Sequence, residues 1–320
     1  MLVNLPTTRF LGSDYLSSFS YRDFRFLWVA GLSSSAGTWA LLVARGWLAY
    51  GVSESSLWVG LVTFAAMAPR MIVTPVSGYL SDRFDRTRVL GLMVSLNLAH
   101  NVVLVAFALT DMMPLGLLLG LSFLNGSASV AQQTASQALV PNLVPRVHLL
   151  NAIALTRATH HGARLVGSAA VAVLLGLLNI EAAFICCSAF YLIAVVSVGF
   201  IHTRSRGNVD RTRGVAGNVA LALRHVYADT LLRFLMVLAV FHCGLTMSFE
   251  SLLPVLSRRE LGGEGAGFGY MMMGIGTGAL VATILMAGVR SDRMRGWLFL
   301  NLGVLSGVMP ALLALSGNMP

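Results

Sequence analysis

The residues of this 320-residue chain that could do chemistry are few, and most are arginines set inside apolar runs. Arg70 follows Pro69 in "MAPRMIV". Arg157, His161 and Arg164 recur at spacings of four and three, which places them on one face of a helix, with His160 beside them. Arginine stays charged under all working conditions, so in an apolar setting each needs an anion or a set of carbonyls. Two readings stay open: contact with an anionic substrate, or a structural arginine paired to another helix. A second row is uncharged: Ser122, Asn125, Ser129, Gln132, Gln133 and Ser136. Such a stripe suits a polyspecific cavity, or helix–helix hydrogen bonds worth about 0.6 kcal/mol each. Glu250 is the one carboxylate placed well inside an apolar run, with His242 and Thr246 on a nearby face. It is the candidate for proton coupling, and pairing with an arginine elsewhere is the competing role. Arg45, near the outer end of its run, reads as a side chain that snorkels to the interface.

Other patterns exclude chemistry. There is no HExxH, G-x-S-x-G or P-loop pattern, so no enzyme is expected. Cys186, Cys187 and Cys243 have no metal spacing and read as small hydrophobes, so neither metal nor cofactor is expected. Gly265, Gly269, Gly274 and Gly278 suit close helix packing rather than a phosphate loop.

The elements that must position these residues follow from composition. The chain is 56% hydrophobic and 11% charged, with a mean hydropathy of +0.77. Soluble domains carry about 25% charged residues. Apolar runs of about 20 residues match the hydrocarbon thickness of a bilayer. The fold class is therefore all-α integral membrane, with the lipid bilayer as an obligatory partner. Helices are predicted at 24–51, 56–80, 88–110, 114–139, 149–177, 182–202, 231–257, 266–289 and 296–316. The 22 basic residues are all arginines and exceed the 13 acidic ones. Their clustering in alternate connections is a topology signal, not a nucleic-acid surface, and it places the N-terminus in the cytoplasm. Asp14, Arg22, Asp23 and Arg25 argue against a signal peptide. Residues 203–230 form the longest connection, where "VALALRHVYADTLLRFL" has the spacing of an amphipathic surface helix.

One charged loop repeats. "GYLSDR" at 78–83 returns as "GVRSDR" at 288–293, so Gly78, Ser81, Asp82 and Arg83 align with Gly288, Ser291, Asp292 and Arg293. Each copy joins two apolar runs. The simplest organisation is a six-helix half at 1–202, a cytoplasmic linker at 203–230 and an incomplete second half at 231–320.

Gly78-Tyr-Leu-Ser-Asp82-Arg83-x-x-Arg86 resembles the signature loop between helices two and three of the major facilitator superfamily. Residues 138–167 and 37–62 are similar to its drug- and siderophore-exporting branch, which includes the enterobactin exporters. Two positions depart from that branch: Ser168 stands where Pro is common, and Ser136 where Arg is common. The resemblance implies a two-half bundle of twelve helices, of which about nine are legible. The chain thus reads as lacking the last three helices. The resemblance also implies a gating role for Gly78, Asp82, Arg83 and Arg86, with Asp82 latching the halves together beside a late helix, and for the second copy at Asp292 and Arg293. The implied function is proton-coupled export of a small amphipathic or anionic compound across a bacterial-type inner membrane. The cavity candidates are Arg70, Asn125, Gln132, Gln133, Arg157, His161 and Arg164, and Glu250 is the proton-coupling candidate. The alternative is a non-transporting fragment or a membrane interaction protein.

Overall fold

A computed structural model describes residues 17–110, 113–206, 217, 224, 226–242, 244, 253, 265–287 and 292–315. Among the described residues a 3-10 turn, Ser17–Ser20, precedes ten helices. These are α1 (Arg22–Ser53), α2 (Ser56–Met67), α3 (Pro69–Arg83), α4 (Arg86–Ala108), α5 (Leu115–Leu143), α6 (Arg146–Leu177), α7 (Ile180–Gly199), α8 (Thr230–Phe241), α9 (Gly265–Ala287) and α10 (Asp292–Leu315). The described residues contain no strand. Among the described residues six helical spans are long and apolar enough to cross a membrane, with α2 and α3 forming one span; α8 and the 296–309 stretch of α10 are shorter apolar helices. The expected helices are met within a few residues at most ends. The predicted 231–257 helix is described only through Phe241 as α8, and most of the expected surface helix lies outside the described residues.

Local chemistry sets the boundaries. The Asp85 carboxylate accepts the Arg88 amide at 3.1 Å and starts α4. Asn179 does the same for α7 through the Ala182 amide at 3.0 Å, and Asp229 caps α8 through Leu231 and Leu232. α1 stops where Glu54 takes a left-handed conformation, φ 50°, and its amide returns to the Tyr50 carbonyl at 2.8 Å. The break between α2 and α3 falls at Ala68, because Pro69 has no amide to continue the ladder.

In the first half, α1 packs on α6 and α7, α4 on α5 and α7, and α5 on α2 and α3. The starts of α1, α4 and α6 share one core cluster with the ends of α5 and α7, so the connections alternate between two ends. The end holding the 83–86 connection is called the loop end. Its core contains Phe24, Leu27, Leu90, Val94 and Leu139. The opposite end is filled by Val43, Val62, Leu104, Leu118 and Phe184. Two glycines permit the closest approaches. A Cβ at Gly126 would run into the Ala66 carbonyl, and one at Gly167 into the Ala36 carbonyl. Small residues let membrane helices approach this way where no hydrophobic force separates protein from lipid. In the second half, α9 lies along α6, where Gly276 faces the Leu165 backbone.

Candidate functional site

A cavity of about 310 Å³ opens among α1, α3, α5 and α6, in the half of the bundle toward the loop end. α1 contributes Ser34, Ser35 and Thr38; α3 contributes Arg70. α5 adds Ser129, Gln132, Gln133, Ser136 and Gln137, and α6 adds Thr156, Arg157, Thr159 and His160. Leu27, Trp28, Val130, Val140 and Ile153 supply apolar wall. The helical period explains the set: 129, 132, 133, 136, 137 and 140 are one face of α5, and 153, 156, 157 and 160 one face of α6. Arg70 reaches the cavity because α3 restarts at Pro69 just before it, and the Thr74 hydroxyl donates back to the Arg70 carbonyl. Among the described residues the wall holds two fixed positive charges, many hydroxyls and amides, and no carboxylate.

Behind the wall runs a buried polar network. Asn97 Nδ2 donates to Gln132 Oε1 at 2.9 Å, and Asn125 Nδ2 donates to Asn97 Oδ1 at 2.9 Å. Asn101 Nδ2 donates to the Asn97 carbonyl at 2.8 Å. The Tyr191 hydroxyl meets Thr38 Oγ1 at 3.0 Å and also bonds the Asn125 side chain. Gln132 and Thr38 are wall residues, so α1, α4, α5 and α7 are hydrogen-bonded to one another directly behind the cavity.

Arg164 is buried between α1 and α9. Its guanidinium stacks 4.2 Å from the Trp39 ring centroid, and Nη2 reaches Met272 Sδ at 3.5 Å. At the loop end, Arg86 joins three segments through neutral acceptors. It donates to the Ser81 carbonyl at 3.2 Å, the Ala138 carbonyl at 2.9 Å and Ser205 Oγ at 3.4 Å, while its amide donates to the Ser205 carbonyl at 2.8 Å. Arg83 is exposed; it donates to Tyr79 Oη at 2.8 Å and lies over the Tyr79 and Phe84 rings.

Residues 13–319 match the family described as transmembrane secretion effector. The chain belongs to the major facilitator superfamily. Among curated relatives it is similar to a staphyloferrin A transporter of Staphylococcus aureus, 21% identical over 78% of this chain and 63% of the relative. It is also similar to the multidrug efflux pump Tap of Mycolicibacterium fortuitum, 24% identical over 80% of this chain and 64% of the relative. The chain therefore spans somewhat under two thirds of the length of these two relatives.

Within this superfamily member the structure gathers Arg70, Gln132, Gln133 and Arg157 around one cavity. Asn125 sits in the network behind the wall, and Arg164 at the α1–α6–α9 junction, both off the wall itself. His160 lines the cavity. The side chains of His161, Asp82, Asp292 and Arg293, and all of Glu250, lie outside the described residues. Gly78 meets no other atom within 4 Å of where a Cβ would stand. Arg45 corrects an expectation. It does not snorkel: it is 4% exposed, on a helix packed along α6 and α7. Sequence reasoning passed over Ser34, Ser35 and Thr38 on α1, and Asn97, His100 and Asn101 on α4. The i, i+4 pair of asparagines in an apolar helix was the available signal for the latter.

Proposed function

We propose that this protein works as a secondary transporter whose cavity binds a small anionic or amphipathic compound and exports it in exchange for protons. The single observation behind the substrate class is the cavity wall, which among the described residues carries Arg70 and Arg157 and no carboxylate. A desolvated guanidinium recovers its lost hydration only from an anion or from fixed acceptors. The surrounding hydroxyls and amides supply adaptable hydrogen bonding for the rest of a ligand. Arg22, Arg25, Arg83, Arg86, Arg88, Arg146, Arg204 and Arg206 all fall at the loop end, which favours that end as cytoplasmic and the membrane as a bacterial inner membrane. A cavity facing that end is then placed to load cargo from the cytoplasm. Both relatives carry transport in their names, one of staphyloferrin A and one as a multidrug efflux pump. Glu250 is the proposed coupling carboxylate. The 78–86 and 288–293 copies are the proposed gating elements of two halves joined by 203–230.

The test is accumulation of carboxyfluorescein, an organic anion, in everted membrane vesicles energised with a proton gradient. Wild-type uptake that Arg70→Gln and Arg157→Gln each lower about tenfold supports the reading, since one charge-assisted contact is worth about 1.5 kcal/mol. Unchanged uptake in both variants overturns the anion assignment, and gradient-independent signal overturns proton coupling. A rival reading, a membrane protein that binds partners without transporting, draws on α8, which buries none of its residues. It predicts no accumulation of either carboxyfluorescein or ethidium.

A further inference from the structure

The cavity accounts for Arg70 and Arg157, but a third arginine lies deeper with no role. Arg45 on α1 is 4% exposed and its Nη1 has no hydrogen-bond partner. His100 on α4 is 3% exposed, and neither Nδ1 nor Nε2 has a partner. The two act on each other electrostatically. Their depths agree. Arg45 stands eight residues before the end of α1 at Ser53, His100 eight before the end of α4 at Ala108, and Cys187 seven after the start of α7 at Ile180. At the helical rise that is one layer, about 10–12 Å in from the end opposite the loop end.

Among the described residues the groups around this layer are uncharged apart from Arg45. α7 presents Tyr191 and Cys187, both fully buried and both in electrostatic contact with Arg45. α4 presents Asn97 and Asn101 beside His100, and α5 presents Asn125. The asparagine donors and the tyrosine hydroxyl are engaged in the network behind the cavity. No carboxylate of the described residues acts on Arg45. A water molecule could satisfy one hydrogen bond there, but it would leave a net charge buried among apolar side chains. An anion satisfies the donor and removes the charge together.

We propose that Arg45 and His100 hold one small inorganic monovalent anion of the halide class, enclosed between α1, α4 and α7. Arg45 Nη1 supplies a charged donor, and the imidazole N–H supplies a second when the ring carries its proton on the facing nitrogen. The enclosure, with every named side chain under 7% exposed, selects for size and excludes the larger compounds suited to the cavity. The site communicates with the cavity through Tyr191 and Thr38. It holds whether or not the protein transports.

The experiment is thermal unfolding of the purified chain in detergent, in sodium chloride or bromide against sodium gluconate at equal ionic strength. Wild type should show a saturable rise in midpoint of about 5 °C at saturating halide. Arg45→Gln should lose the halide response and unfold in gluconate no earlier than wild type, because the unpaired charge is gone. His100→Leu should weaken the response about tenfold in half-saturating concentration. Arg70→Gln with Arg157→Gln should keep it in full, which separates this site from the cavity. Equal wild-type midpoints in halide and gluconate overturn the proposal, as does a halide response that survives Arg45→Gln.

Discussion

α7 and α8 are similarly apolar in sequence, yet they end in opposite surroundings. Phe184 on α7 is fully buried, whereas Phe234 on α8 is 61% exposed and α8 buries nothing. The described residues of α10 are likewise never buried. What separates the two regions is not hydrophobicity. In lipid, apolar surface gains little by leaving the hydrocarbon, so packing is driven by close fit and by polar contacts between helices. The first half has both: glycines against carbonyls at Gly126 and Gly167, and the asparagine network between α4 and α5. α9 has the first of them at Gly276, and it packs closely on α6. α8, TLLRFLMVLAVF, has neither a glycine nor an uncharged amide.

The comparison breaks most visibly at the glycines. Gly126→Leu and Gly167→Leu should each destabilise the purified chain by about 3 kcal/mol, since the obstructing atoms are backbone. Gly278→Leu on α9, which meets nothing within 4 Å, should stay within about 0.5 kcal/mol. Unfolding midpoints in detergent that fail to separate these variants would remove close approach as the cause. Next in size is the network. Asn97→Leu leaves Gln132 Oε1 and Asn125 Nδ2 without their partner and should cost about 1–3 kcal/mol. A double-mutant cycle with Asn125→Leu should show the two costs to be non-additive. Arg86→Ala, which cuts the links to Ala138 and Ser205, should cost about 1–2 kcal/mol. Arg83→Ala, exposed on its own turn, should fall within about 0.5 kcal/mol. Smallest of all, Phe234→Ala on α8 should leave the unfolding midpoint of the first half unchanged.

The 78–86 loop gives a more particular lesson. The resemblance implies that Arg83 and Arg86 complete a charge network around Asp82. The Asp82 side chain lies outside the described residues; among the described ones, Arg86 binds the carbonyls of Ser81 and Ala138 and the segment after α7. Asp85, two residues after Arg83, is spent on capping α4. Motif spacing reported that the charges belong together; it did not report which acceptors each one meets.

By itself the sequence determined the class and the helices. Those depend on hydropathy over about 20 residues, which is a local sum along the chain. It also determined which faces carry polar groups, because the helical period is fixed: the α5 stripe of Ser129, Gln132, Gln133 and Ser136 does line a cavity. Only the tertiary structure decided which face meets which. Arg157 and Arg164 share a stripe on α6, yet one opens on the cavity and the other stacks on Trp39. Arg45 looks peripheral by position and is buried, on a helix that α6 and α7 pack along. Helix crossings are set by contacts between residues distant in the chain, and no local window contains them.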